Sequence, residues 1–219
     1  AKDSADAFGY MAMAGWKTED MLQGIDGIMS LAAASNEDLA TTSDIVTDAL
    51  TAFGLQASDS GHFADVLAQA SANANTNVGM MGESFKYVAP VAGALKYSVE
   101  DVSLALGLMA NASVKGSMAG TSLKTSLANM AAPTDKMEAA MDKYGISLTK
   151  RNGEMRTLHE VLDNLRSSLG GLSETEQTAA ASTIFGKEAM AGMLAIINAS
   201  EDDYNKLTAA VNNADGASQ

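Results

Sequence analysis

Apolar residues recur every three or four positions along most of this chain, broken by short polar or glycine-bearing interruptions. That spacing belongs to amphipathic helices. Met21, Ile25, Ile28, Met29 and Ala32 form one stripe on a helix predicted over 20–32, with Thr18 as its N-cap and Ser35-Asn36 as its end. Leu39, Thr42, Val46, Ala49, Leu50 and Phe53 mark the buried face of the next helix, and Gly54 stands where a C′ glycine belongs. Phe63, Val66, Leu67 and Ala70 predict a third, closed by a connector carrying Asn73, Asn75 and Asn77. Val78, Met81, Phe85, Val88, Ala92 and Leu95 then step by 3, 4, 3, 4 and 3, a seam that packs on a neighbouring helix. Pro90 falls inside it and predicts a kink or a split. Ser98, with Asp101 three residues on, starts a helix over 99–113 in the manner of a capping box.

Gly116 and Gly120 open the following run, in which Leu123, Leu127 and Met130 share one face up to Ala132-Pro133. Two small residues four apart lie on one face of a helix, and Gly116 and Gly120 are expected to admit a neighbouring backbone there, helped by Ala112 and Ala119. Thr134 caps a short helix with Met137, Ala140, Met141 and Tyr144 on one face, ended by Gly145. The period then changes. Ile146-Ser147-Leu148-Thr149 alternates, Asn152-Gly153 is the strongest short turn signal, and Met155 and Leu158 follow, so a small β-hairpin is predicted near 146–158. Helical spacing resumes with Leu158, Val161, Leu162, Leu165 and Leu169, which Gly170-Gly171 stops. Ser173 with Glu176 begins another helix, Gly186 interrupts, Met190, Met193, Leu194 and Ile197 continue, and Tyr204, Leu207 and Val211 mark the last.

The fold class is therefore mainly α, with about eight to ten short helices and one hairpin. A first helical region is expected over 1–134, a smaller one bearing the hairpin over 135–214, and a frayed tail over 215–219; a single continuous domain is the alternative. Ala1-Lys2-Asp3 reads as an entry into the middle of a longer protein. The similar pentapeptides at 31–35, 67–71 and 109–113 lie 36 and 42 residues apart. In a chain rich in Ala and Ser this unequal period is read as coincidence, and no solenoid is inferred.

Composition narrows the functional classes. Hydrophobic residues make up 47%, only 5% are aromatic, and the two prolines and 14 methionines suit helices of small and flexible side chains. The net charge is −13 and uneven: residues 1–100 hold four Lys or Arg against thirteen Asp or Glu, residues 101–219 ten against fourteen. Such a field repels phosphate and disfavours nucleic-acid binding. The absence of cysteine removes disulfides, thiolate nucleophiles and Cys metal sites. The most apolar uncharged run, 102–114, is well short of the ~20 residues that cross a bilayer.

Catalytic patterns are missing. His62 and His159 have no partner at ligand spacing and read as surface or boundary residues. The stretch 116–124 superficially resembles a phosphate loop, but its glycines stand one residue too close and Lys124 is displaced. Glu201-Asp202-Asp203 reads as first-turn carboxylates favoured by the helix dipole. No cofactor, metal or catalytic residue is assigned.

Two stretches carry a family resemblance: VKGSMAGTSLKTSLANMAAP over 114–133 and Ile184-Phe185-Gly186-Lys187-Glu188-Ala189. With Ala14-Gly15-Trp16 through Ser35, Asp44–Gly54, Tyr87-Val88-Ala89-Pro90 and Gly145-Ile146, all in order, the chain resembles the tape measure proteins of long-tailed bacteriophages. Gly116, Gly120, Thr121, Leu123, Pro133, Phe185 and Gly186 are its structural signature. The resemblance implies a non-enzymatic tail component that templates tube length, occupies the lumen and leaves ahead of DNA. It also implies the tail tube protein, tail assembly chaperones and tail-tip or baseplate proteins as partners, with self-association possible. The location implied is the virion tail, and the host cytoplasm during assembly. A non-viral helical scaffold module is the competing reading, and a cell-wall hydrolase fragment a third. One continuous helix of this length would extend about 330 Å, whereas a globule has a radius of gyration of roughly 17 Å. The glycine and proline breaks argue against the continuous helix, and the expectation is an elongated or terminal helical module, or one that rearranges or unfolds in the tail.

Overall fold

Helix caps divide the chain into twelve α-helices in the computed structural model, which describes residues 2–218. They are α1 (Lys2–Met13), α2 (Thr18–Ser35), α3 (Leu39–Phe53), α4 (Ser60–Ala72), α5 (Val78–Ala94), α6 (Val99–Asn111), α7 (Gly116–Ala131), α8 (Asp135–Tyr144), α9 (Leu158–Leu169), α10 (Glu174–Phe185), α11 (Met190–Ile197) and α12 (Glu201–Asn212). A 3₁₀ turn at Ala57–Asp59 precedes α4. The side chains of Asp38, Asn77, Ser98, Thr134, Thr157, Ser173 and Ser200 each accept the backbone N–H three residues on, satisfying a donor the helix leaves open. Thr18 is not a cap. The cap position is Lys17, whose N–H donates to the Asp20 carboxylate at 3.0 Å.

The first seven helices stack in two layers. Odd-numbered helices pack in succession, α1 on α3, α3 on α5 and α5 on α7, while α2 packs on α4 and α4 on α6. This is the arrangement of a helical-hairpin array, in which each pair covers the next. The three similar pentapeptides fall near the ends of α2, α4 and α6 but in different registers: 31–35 and 67–71 lie inside their helices, whereas 109–113 runs two residues past α6. A repeat of helix-end geometry lies in the other layer. α1, α3 and α5 end with Gly15, Gly54 and Lys96 at φ of 84°, 67° and 64°. Each is followed by an apolar residue whose N–H reaches back five positions: Trp16 to Met11, Leu55 to Leu50, Tyr97 to Ala92. These are Schellman ends, spaced 39 and 42 residues apart.

α6 lies at the centre. Every residue from Val102 to Ala110 is buried, as an all-round apolar helix requires, and α12 returns along the chain to cover α4 and α6. One hydrophobic core runs from Ala7 to Ala214. α5 remains a single helix through Pro90, which sits exposed in its final turns while α3 and α7 hold the body. The buried stripe of α2 is Gly24, Ile28, Leu31 and Ala32; Met29, expected inside, is 52% exposed.

The predicted hairpin is a correction. The Asn152-Gly153 turn forms, with Gly153 at φ 87°, but among the described residues only one bridge exists, between Thr149 and Met155. Gly145 ends α8 and Thr157 caps α9, so each arm has too few residues for a ladder. The helix count of eight to ten also falls short of the twelve described. α1 had no stripe long enough to register. At the other end, where a frayed tail is expected over 215–219, buried Asp65 accepts the N–H groups of Gly216 at 2.7 Å and Ser218 at 2.8 Å and the Ser218 hydroxyl at 2.5 Å, so these residues are tied down; Gln219 lies outside the described residues.

Candidate functional site

The α5–α7 crossing is the most extensive helix contact in the protein, and Gly120 is where it closes. A Cβ on Gly120 would stand 2.9 Å from Ser84 Cα and 3.0 Å from its carbonyl carbon, with the carbonyl oxygen nearer still. The two backbones touch with no side chain between them. Beside this contact the Ser84 hydroxyl donates to the Gly116 carbonyl at 2.6 Å, fixing the first turn of α7 against α5. Gly116 itself has a different task. It sits at φ 61°, a left-handed conformation that opens the helix, and a Cβ there would meet nothing within 4 Å. Both glycines meet Ser84, but only at Gly120 does the close approach exclude a side chain.

On its other side α7 holds the second resemblance stretch. The Ser122 hydroxyl donates to the Ala189 carbonyl at 2.6 Å, and Asn129 Nδ2 to the Phe185 carbonyl at 3.1 Å. Phe185 is fully buried, and Gly186, at φ 89° and ψ 154°, turns the chain from α10 into α11. Gly192 lies under Ser122 Cβ and Met109 Sδ, where an added methyl would come within 2.9 Å and 3.0 Å. The stretches 114–133 and 184–189 are thus neighbours in space. Of the remaining signature residues Leu123 is buried, Pro133 is half-buried just beyond α7, and Thr121 is exposed on the outer face. Ala112 is exposed and takes no part in the crossing, whereas Ala119 is buried. Ser84, Ser122, Asn129 and Gly192 carry the junction but gave no signal in the sequence, since such residues are common on any helix surface.

The groups with chemistry lie elsewhere. His62 bridges Glu100, through Nε2, and Asp215, through Nδ1 at 2.7 Å. Burial works to lower its pKa, but the hydrogen bonds to the two carboxylates outweigh that and hold it above the ordinary histidine value. The His159 Nε2 stands 3.4 Å from the Asp163 carboxylate, and the backbone N–H of His159 donates to the Asp101 carboxylate at 3.0 Å. Asp163 also accepts the Tyr204 hydroxyl at 2.5 Å, and the Arg166 guanidinium lies 4.3 Å above the Tyr204 ring. Arg166 Nη1 donates to the Ile196 and Ala199 carbonyls, both at 2.8 Å, capping the end of α11. These contacts join helices. The stretch 116–124 lies within α7 and follows α6 rather than a strand, so it lacks the strand–loop–helix setting of a phosphate loop. Among the described residues no group of three or more His, Asp or Glu is arranged to hold a metal ion, and no helix is long and apolar enough to cross a membrane.

The fold is a stack of helices whose most intimate contacts are packing junctions. The chain belongs to the phage-related minor tail protein family, whose family model matches residues 1–186. It is similar to the tape measure protein of Pneumococcus phage Dp-1, with 37% identity over 219 residues that make up 100% of this chain and 19% of that protein. It is also similar to the probable tape measure protein of Escherichia phage P2, with 27% identity over 99% of this chain and 27% of that one. The chain thus spans about a fifth to a quarter of the length of these relatives. No solved structure matches it.

Proposed function

We propose that this chain is a folded helical segment of a tape measure protein, contributing to the template that sets tail tube length and occupies the lumen before DNA is ejected. The observation that carries the reading is the whole-chain identity to the Dp-1 tape measure protein, reinforced by the junction that unites the two resemblance stretches. The role is mechanical: it needs no catalytic step, cofactor or metal. Its partners on this reading are the tail tube protein, the assembly chaperones and the tail-tip or baseplate proteins, met in the host cytoplasm during assembly and retained in the virion tail. Of the signature residues, Gly116, Gly120, Leu123, Phe185 and Gly186 serve this role by holding α5, α7, α10 and α11 together, while Thr121 on the outer face and Pro133 beyond α7 stand outside those contacts.

A globular segment of roughly 17 Å radius of gyration contributes far less length than the about 330 Å of one continuous helix. Deleting the segment in frame from its parent gene, with tails measured by electron microscopy, tests the proposal. The expected result is defective assembly or ejection, or tails shortened by much less than the continuous-helix length. Normal tails of unchanged length on fully infective particles would overturn it.

A further inference from the structure

The odd-numbered layer carries an open groove of about 540 Å³ between α3 and α5, beginning where α1 stops. Ile45, Ala49, Ala52 and Phe85 line its apolar floor, and Met13, 77% exposed, stands at its mouth. Its rim is acidic. Asp44 and Asp48 stand one turn apart on α3, and Glu83 lines the groove from α5. Lys86 is the single cation among the lining residues and pairs with Glu83 at 3.8 Å, while Asp44 and Asp48 have no ion pair among the described residues. Desolvation and the Asp44 charge push the Asp48 carboxyl above its ordinary value, with Lys86 opposing. With one cation against three carboxylates among its lining residues, the rim keeps a net negative charge.

We propose that this groove docks an amphipathic helix of a partner protein, one that lays small apolar side chains on the floor and presents two Lys or Arg one turn apart to Asp44 and Asp48. Helical arrays expose long grooves suited to such ligands, and i, i+4 cations on a partner helix match i, i+4 carboxylates on α3. A second copy of this chain does not fit, because no two of its Lys or Arg stand three or four residues apart. Its first hundred residues, with four cations against thirteen carboxylates, would also repel a like surface.

The probe is a fluorescent, end-blocked Ala/Leu helical peptide bearing two Lys at i, i+4, compared with the same peptide bearing Glu, each titrated into the 219-residue protein by anisotropy. Saturable binding of the Lys peptide alone is expected. Asp44→Asn/Asp48→Asn should weaken it roughly five- to tenfold, as two rim pairs would, and Ala52→Phe should weaken it by filling the floor. Glu201→Gln/Asp202→Asn removes equal charge from the first turn of α12 and should leave affinity within twofold. Circular dichroism confirms that each variant folds. Four results would overturn the proposal: no saturable binding, equal binding of the Glu peptide, equal loss in both charge variants, or self-association that Asp44→Asn/Asp48→Asn abolishes. The last would assign the groove to a second copy. None depends on the tail role, so failure here leaves the tape measure reading standing.

Discussion

Replacing Gly120 by alanine puts the α5–α7 junction to a direct test. In an exposed helix this change stabilises by about 1 kcal/mol, because alanine is the better helix former. At Gly120 the new Cβ meets Ser84 Cα at 2.9 Å and its carbonyl carbon at 3.0 Å, and a backbone cannot rotate away as a side chain would. The helices must separate by several tenths of an ångström. Overpacking of this kind costs about 1–3 kcal/mol, and separation also weakens the 2.6 Å bond from Ser84 to Gly116, worth about 1 kcal/mol. After the propensity gain, a net loss of about 1–3 kcal/mol remains, or roughly 3–10 °C in Tm for a chain of this length. Gly120→Leu should lose more. Differential scanning calorimetry reads both, with Gly9→Ala as control, since a Cβ at Gly9 meets nothing within 4 Å and should hold or raise Tm. Ser84→Gly should not rescue Gly120→Ala, because the obstruction is main chain. A Gly120→Ala protein that melts at or above the parent temperature would refute the close crossing.

Two further outcomes follow from the site geometry. His62 has a folded pKa above its ordinary value near 6.5, so its bridge to Glu100 and Asp215 contributes fully below that pH and is lost as pH rises through the folded value. Thermal melts from pH 5 to 9 should show this decline in the parent and a flatter profile in His62→Gln; identical profiles would remove His62 from the account. Gly186→Ala forces a Cβ into φ 89°, ψ 154°, a region nearly reserved for glycine, and should cost about 1–3 kcal/mol in denaturant unfolding. An unchanged midpoint would mean that the α10–α11 turn relaxes without strain.

Much of the architecture could be read from residue order alone. Leu158, Val161, Leu162, Leu165 and Leu169 are all buried as their spacing requires, and Ser98, Thr134 and Ser173 cap the helices they precede. These features are local: a helix face repeats within seven residues and a cap acts over three, so a short window contains the whole cause. The family resemblance was legible for a similar reason, as contiguous stretches of residues.

Other features had their cause far along the chain. The period-two run at 146–149 met only a single bridge because neighbouring helices claimed its flanks. Met29 turned outward because α3, α4 and the 3₁₀ turn take the other face of α2. The shared ends of α1, α3 and α5 gain meaning only from the stacking of those helices in one layer. Gly120 and Gly116 look alike in sequence, yet one faces a backbone 36 residues upstream and the other opens a helix. Spacing along a chain reports which residues can share a face, but which face is covered, and by what, depends on the close packing of segments that are distant in sequence.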